Sequence, residues 1–146
     1  VGYNSRLDAL QAAVLSAKLP HLRGWSDARR NHAAFYDGAL EGIDGIVTPP
    51  VKPDNESIFN QYTIRVLDGQ RDALAEHLKA AGIGSGVYYP VPLHLQECFA
   101  YLGYREGQFP ESERACREVL SLPVFPELMP AQLGHVAQTI LEFFGR

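Results

Sequence analysis

Apolar residues recur at helical spacing in two long stretches at the start of the chain. The first stretch follows Asn4-Ser5, a pair typical of a helix N-cap, and predicts a helix that ends at about Leu19. Pro20 either bends this helix or opens a second one, because proline is tolerated in the first turn of a helix. The second stretch has apolar positions at Leu22, Trp25, Ala33, Phe35, Tyr36 and Leu40.

The rest of the chain alternates between strand and helix patterns. Turn-forming residues at 41–58 predict a loop with a short extended piece at 46–48. Strands are predicted at 61–67, 83–89 and 120–122, and helices at 72–81, 110–119 and 130–144. This order predicts an α/β (α+β) fold, in which a three-stranded, mostly antiparallel sheet is covered by helices on one face. We expect two parts, a helical segment at 1–41 and an α/β domain at 42–146.

Composition and charge narrow the class of protein. The 46% hydrophobic and 21% charged residues are typical of a soluble globular protein, and no apolar run approaches a membrane span. The net charge of −4 argues against a nucleic-acid partner, and the single basic pair, Arg29-Arg30, is expected on a solvated helix face. Cys98 and Cys116 form no metal motif, which favours reduced thiols and a cytoplasmic location. The start at Val1, without Met, suggests a piece of a longer protein.

Two segments carry the strongest candidate chemistry. Near the first helix start, Asn4 and Arg6 could bind an anion such as phosphate, although an ordinary capped helix with Arg6 paired to Asp8 explains the same residues. Farther along, Tyr88, Tyr89 and His94 lie in a segment with glycines before them and two prolines among them. Such a rigid polar loop could hold a sugar or a diphosphate, or the tyrosines could simply pack against helices.

Two further segments are weaker candidates. Asn60-Gln61-Tyr62 could donate hydrogen bonds to a ligand, but residues of this kind more often satisfy the ends of strands. The segment 122–126, with two prolines and a phenylalanine, is expected to be a structural turn. The chain has no P-loop, GxGxxG, GxSxG or HExxH motif, and its histidines and cysteines do not have the spacing of metal ligands, so no metal site is predicted within it.

Five motifs stand in order along essentially the whole chain. They are Gly2-Tyr-Asn-Ser-Arg-Leu-Asp8, Ala12-Ala13, Tyr88-Tyr-Pro-Val-Pro-Leu-His94, Phe109-Pro-Glu-Ser-Glu-Arg114 and Leu120-Ser-Leu-Pro-Val-Phe-Pro-Glu-Leu128. Together these motifs resemble the DegT/DnrJ/EryC1/StrS family of nucleotide-sugar aminotransferases. The resemblance implies the C-terminal small domain of a fold-type I aminotransferase, with 1–41 linking to a large domain.

The resemblance also implies the site. Pyridoxal 5'-phosphate is the expected cofactor, and in a homodimer Asn4 would reach the cofactor phosphate of the neighbouring subunit. Arg6, Tyr88, Tyr89 and His94 would bind the nucleotide-sugar substrate; tyrosine at 88 departs from the family's usual histidine and leaves the particular sugar open. The Schiff-base lysine is expected N-terminal to Val1, since the lysines of this chain lack the family's lysine motif.

The expected function is transfer of an amino group, with glutamate as the expected donor, to a keto-sugar linked to a nucleotide. One alternative is a cofactor-dependent sugar dehydratase of the same family, in which the lysine is replaced. A second alternative is a non-catalytic dimerisation or regulatory module. The residue at the family's lysine position in the whole protein distinguishes the aminotransferase from the dehydratase.

Overall fold

The computed structural model describes residues 5–146, and Asn4 lies outside them. Two helices come first, and a small sheet follows, with three further helices placed between and after its strands. The elements are α1 Ala9–Lys18, α2 Leu22–Ala39, β1 Ile46–Val47, β2 Tyr62–Val66, α3 Arg71–Ala80, α4 Pro110–Glu118, β3 Val119–Leu122 and α5 Pro130–Phe143.

The sheet has the order β1-β2-β3 with both neighbouring pairs antiparallel. Tyr62, Ile64 and Val66 alternate with half-buried residues along β2 and are fully buried, as the alternation in the sequence indicates. A three-stranded antiparallel sheet is therefore confirmed, but its membership is not the predicted one.

The strand predicted at 83–89 is wrong. Only Gly86 pairs there, through two backbone hydrogen bonds with Ser121, and the third strand is Ile46–Val47. Glycines weaken a strand interior and Pro90 cannot donate a ladder hydrogen bond, so the segment leaves the sheet after a single bridge. The consequence is that Tyr88 and Tyr89 belong to an irregular segment and not to the sheet.

The hydrophobic core lies between the sheet and helices α2, α3 and α5. Those helices contribute buried side chains such as Tyr36, Leu74 and Ile140, which pack in one cluster with the inward residues of β2. Tyr36 also donates a 2.9 Å hydrogen bond to the carbonyl oxygen of Pro123, so α2 is attached directly to the segment after β3. The predicted helical cover on one face of the sheet is confirmed.

Helix α1 differs from its prediction in where it begins. Its N-cap is Asp8, whose carboxylate accepts a 2.8 Å hydrogen bond from the amide of Leu10, so this helix begins after the Asn4-Ser5 pair from which its start was predicted. The helix buries none of its residues, and Leu10, Val14 and Leu15 are exposed. Across the described residues, we find no helix whose length and apolar character would let it cross a membrane.

Candidate functional site

A cleft of about 500 Å³ lies beside the Gly86–Ser121 bridge. Three separate parts of the chain meet at this cleft: helix α2, the entry to β2, and the irregular segment that carries Tyr88, with the end of β3 closing it. Its lining residues are Arg29, Asn60, Gln61, Gly84, Ser85, Gly86, Tyr88, Ser121, Leu122, Pro123, Val124 and Phe125.

The ring of Tyr88 packs directly against the backbone of Gly86. A Cβ atom added at Gly86 would lie 2.6 Å from the Tyr88 ring, closer than such atoms approach one another in proteins. At Gly84, by contrast, an added Cβ would meet nothing within 4 Å. Gly86 is therefore required for the close approach that places Tyr88 at the cleft, while about half of the tyrosine surface stays exposed.

Among the residues described by the structure, Arg29 is the one charged residue that lines the cleft. It lies one turn before Ala33 and two turns before Tyr36, on the buried face of α2. Its Nε atom is buried and has no hydrogen-bond partner among the residues the structure describes. The expectation that Arg29-Arg30 lie on a solvated face is wrong for Arg29. Arg30 is partly exposed and forms ion pairs with the exposed side chains of Asp27 and Glu56.

His94 points away from solvent and is paired with Glu113. Its Nε2 lies 2.9 Å from the Glu113 carboxylate, and the two side chains are only 8% and 6% exposed. The same carboxylate accepts hydrogen bonds from the amides of Gly107 and Phe109. Glu113 thus connects α4 to both ends of the segment 93–109, which contains two short 3-10 helices, Leu93–Leu95 and Glu97–Leu102.

The electrostatics of Glu113 follow from these contacts. Burial acts to raise the pKa of its carboxyl, but the hydrogen bonds from Gly107, Phe109 and His94 outweigh burial, so its pKa lies below the ordinary value. The ionised carboxylate is therefore favoured in the folded protein. Neither Glu113 nor Arg29 was among the predicted site residues, although Glu113 falls inside a family motif and Arg29 interrupts an apolar helix face.

Of the predicted site residues that the structure describes, Tyr88 lines the cleft, whereas Arg6, Tyr89 and His94 do not. Asn4 lies outside the described residues. Tyr89 adjoins Tyr88 with an edge-to-face ring contact at 6.4 Å and is 71% exposed. Arg6 is exposed in the stretch that precedes α1, and His94 is buried in its pair with Glu113. Asn60 and Gln61, weighed as strand-end residues, line the cleft.

The segment 122–126 has the structural role expected of it and also lines the cleft. The carbonyl oxygen of Pro123 accepts from Tyr36, and that of Pro126 lies 3.3 Å from the Nε2 of His32. Both contacts attach the segment to α2. Phe125 remains 45% exposed at the cleft, so an aromatic surface is available there to a ligand.

The described residues do not offer a covalent attachment for pyridoxal phosphate. Lys18, Lys52 and Lys79 are all exposed, and none lines the cleft with Tyr88. Lys18 lies over the Trp25 ring, and Lys79 pairs with Glu76. Within 5–146 no group of His, Cys, Asp and Glu is arranged to hold a metal ion.

Comparison with known proteins gives this geometry its context. The profile of the DegT/DnrJ/EryC1/StrS aminotransferase family matches residues 1–141. A pleiotropic regulatory protein of Geobacillus stearothermophilus is 53% identical over 146 residues, which cover 99% of this chain and 39% of that protein. UDP-N-acetyl-3-dehydro-alpha-D-glucosamine 3-aminotransferase of Acidithiobacillus ferrooxidans is 41% identical over 140 residues, which cover 96% of this chain and 37% of that protein.

A solved structure agrees with these matches. The crystal structure of S. venezuelae DesV in complex with a ketimine intermediate superimposes with a TM-score of 0.94 at 41% identity, covering 99% of this chain and 38% of that one. The chain spans 37% to 39% of the length of the two curated relatives above and corresponds to their C-terminal portion. Sequence profile, identity and fold agree, and the chain belongs to the DegT/DnrJ/EryC1/StrS aminotransferase family.

Proposed function

We propose that the protein containing this chain is a pyridoxal-phosphate-dependent aminotransferase that transfers an amino group from glutamate to a keto-sugar linked to a nucleotide. Aminotransferases of this family depend on pyridoxal phosphate, and the Acidithiobacillus relative is named for a UDP-linked keto-sugar. The observation that carries the proposal for this chain is the cleft in which Tyr88, a residue implied to bind substrate, packs on Gly86 beside amide and hydroxyl groups.

Tyr88 is proposed to contact the sugar part of the substrate. Its hydroxyl can both donate and accept a hydrogen bond, which suits a sugar hydroxyl group. The neighbouring Asn60, Gln61 and Ser85 add donors and acceptors around the same cleft. Tyr89, largely exposed beside it, is proposed to contact the same substrate from outside the cleft.

His94 is proposed to act through the position of this loop. Because its ring is held by Glu113 and packs on Phe109 at a centroid distance of 4.7 Å, it fixes the segment that follows Tyr88 and Tyr89. A direct contact between substrate and His94 would require the Glu113 pair to open.

The remaining contacts are proposed at the interface with the rest of the protein. Residues 1–41 would connect to a cofactor-bearing large domain, and burial there would account for the exposed apolar residues of α1. In a homodimer, Asn4 would contact the cofactor phosphate of the neighbouring subunit, and Arg6 would contact the nucleotide-sugar side of that site. When bound, pyridoxal phosphate supplies the group that carries nitrogen between the two substrates.

Spectroscopy of the full-length protein tests the proposal. Purified with pyridoxal phosphate, it should show the absorbance of the bound cofactor, and glutamate should change that spectrum. Alanine in place of the lysine at the family's lysine position should abolish the glutamate-dependent change. A folded full-length protein that retains this lysine and binds no pyridoxal phosphate would refute the proposed activity.

A regulatory role is the second candidate, because the Geobacillus relative is named as a pleiotropic regulatory protein. A non-catalytic module would form its dimer without cofactor, and the dissociation constant of that dimer would not change when pyridoxal phosphate is added. Analytical ultracentrifugation of the full-length protein with and without the cofactor separates the two candidates. Replacement of the lysine by another residue in the full-length sequence would instead favour a dehydratase.

A further inference from the structure

The arginines of this chain differ in whether a carboxylate lies close enough to pair with their charge. Four of those in the described residues are partly buried, namely Arg29, Arg30, Arg65 and Arg71. Three of them pair with a carboxylate: Arg30 with Asp27 and Glu56, Arg65 with Glu118, and Arg71 with Asp72. Arg29 has no such partner within 5–146, and its Nε atom is buried without an acceptor.

Burying this part of the Arg29 guanidinium is costly, because water is excluded from its Nε–H group and no acceptor replaces that water. The surrounding cleft offers no relief from within the described chain, because its lining includes no aspartate or glutamate. It does include the residues Asn60, Gln61 and Ser85, whose side chains can also donate hydrogen bonds. One positive charge with neutral donors around it is the chemistry of an anion site.

We infer that Arg29 binds an oxyanion group of a ligand in this cleft. The guanidinium donates hydrogen bonds to a carboxylate or a phosphate of that ligand. Both groups match the planar fork of arginine, which can donate two parallel hydrogen bonds to two oxygens. The identity of the anion rests on the proposed function, which offers two sources: the carboxylates of the amino donor and the diphosphate of the nucleotide sugar. Arg29 is thus a specificity-determining residue for one of the two substrates.

The position of Arg29 on α2 supports this inference. The helix is fixed to the cleft wall because Tyr36, two turns farther along the same face, donates to the carbonyl oxygen of Pro123. Pro123 and Arg29 both line the cleft, so the guanidinium is presented from a rigid element and not from a loop. A binding group placed on a packed helix loses little conformational freedom when its ligand arrives.

Calorimetric titration of the full-length protein tests the inference without requiring turnover. The probes are inorganic phosphate, uridine diphosphate and glutarate, a dicarboxylate that lacks an amino group to transfer. Arg29→Gln should weaken binding of at least one probe by roughly tenfold to a hundredfold, the loss expected for a charge-assisted hydrogen bond. Loss for phosphate and uridine diphosphate assigns the site to the nucleotide sugar, and loss for glutarate assigns it to the amino donor.

Two further variants keep the test decisive. Arg30→Gln removes the same charge from the adjacent residue, which does not line this cleft, and should leave the affinities within about twofold. Arg29→Lys retains the charge but not the fork, so its affinity should fall between those of the wild type and Arg29→Gln, and it replaces the glutamine variant if that one fails to fold. The inference is overturned if no probe binds the wild type or if folded Arg29 variants bind as the wild type does. Because titration is separate from turnover, failure of amino transfer alone would count against the proposed function and not against this site.

Discussion

Gly86 shows how a single residue without a side chain shapes the cleft. Its missing Cβ leaves the space that the Tyr88 ring occupies, and no positive backbone angle is involved, so the requirement is one of space alone. Tyr88 is half exposed, and its ring can therefore move when that space is filled. The same reasoning separates Gly86 from Gly84, which faces open space.

Gly86→Ala should displace the Tyr88 ring and raise the KM for the nucleotide sugar, by roughly tenfold for the loss of one substrate hydrogen bond. The melting temperature should change little, because the ring can turn toward solvent. Gly84→Ala is the matched control and should leave KM unchanged. Steady-state kinetics of the full-length protein measure both, and equal KM values for the two variants would show that Tyr88 does not bind the sugar.

Tyr36 is a second single residue that matters for the cleft, because it joins the hydrophobic core to the cleft wall. Tyr36→Phe leaves the carbonyl oxygen of Pro123 without its 2.9 Å donor while the ring still fills the core. We expect the free energy of unfolding to fall by about 1 to 2 kcal/mol, the cost of an unsatisfied buried acceptor. Tyr101→Phe, at an 80% exposed tyrosine, should change nothing. Urea denaturation measures the difference, and equal stability of the two variants would show that Pro123 finds another donor.

At the scale of an element, Glu113 is a single side chain of α4 that holds the segment 93–109 through His94, Gly107 and Phe109. Its lowered pKa means that ionised Glu113 stabilises the fold above the ordinary carboxyl pKa. This contribution is lost as pH falls through the lower pKa of the folded state. The amides of Gly107 and Phe109 should exchange faster once their acceptor is protonated.

Glu113→Gln should speed hydrogen exchange of the peptide 107–109 at pH 7, and the difference from the wild type should shrink at acidic pH, where the wild-type carboxyl is protonated. Glu111→Gln is the matched control, since both residues lie in the first turn of α4 but Glu111 is exposed and pairs only with Arg114. Unchanged exchange in Glu113→Gln would mean that the segment is held by other contacts.

Helices proved easier to predict than strands in this chain. The periodic apolar positions of α2, α3 and α5 identify these helices and their buried faces, because helical packing requires only a local pattern. The segment 83–89 has strand-like residues, yet pairing depends on Ser121, far away in sequence. β1 is only two residues long, so its sequence indicated no more than a short extended piece.

The site was predictable to a smaller extent. Tyr88 was identified from its motif, and the structure places it at the cleft. The burial of Arg29 and its lack of a partner depend on the packing of three distant segments, which no local pattern contains. The sequence offered only the hint that a charge interrupts the apolar face leading to Ala33 and Tyr36. The pairing of His94 with Glu113 likewise requires the fold of the intervening loop.

At the scale of the whole molecule, the chain spans only part of the length of its relatives. It matches the C-terminal portion of relatives about two and a half times its length, which follows from the 39% and 37% coverage. Its lysines lie on the surface, and the apolar residues of α1 are exposed. These features support the proposal that the rest of the protein supplies the Schiff-base lysine and that this chain contacts the substrates.

Isotope transfer tests that account most directly. The full-length protein is incubated with pyridoxal phosphate, ¹⁵N-labelled glutamate and a UDP-linked 3-keto-sugar, and the nucleotide sugar is then examined by mass spectrometry. We expect the label to appear as an amino group on the sugar, and Gly86→Ala to lower its rate of incorporation at limiting sugar concentration. The account is contradicted if the folded, cofactor-loaded protein transfers no label to this sugar or to any other nucleotide-linked keto-sugar offered in its place.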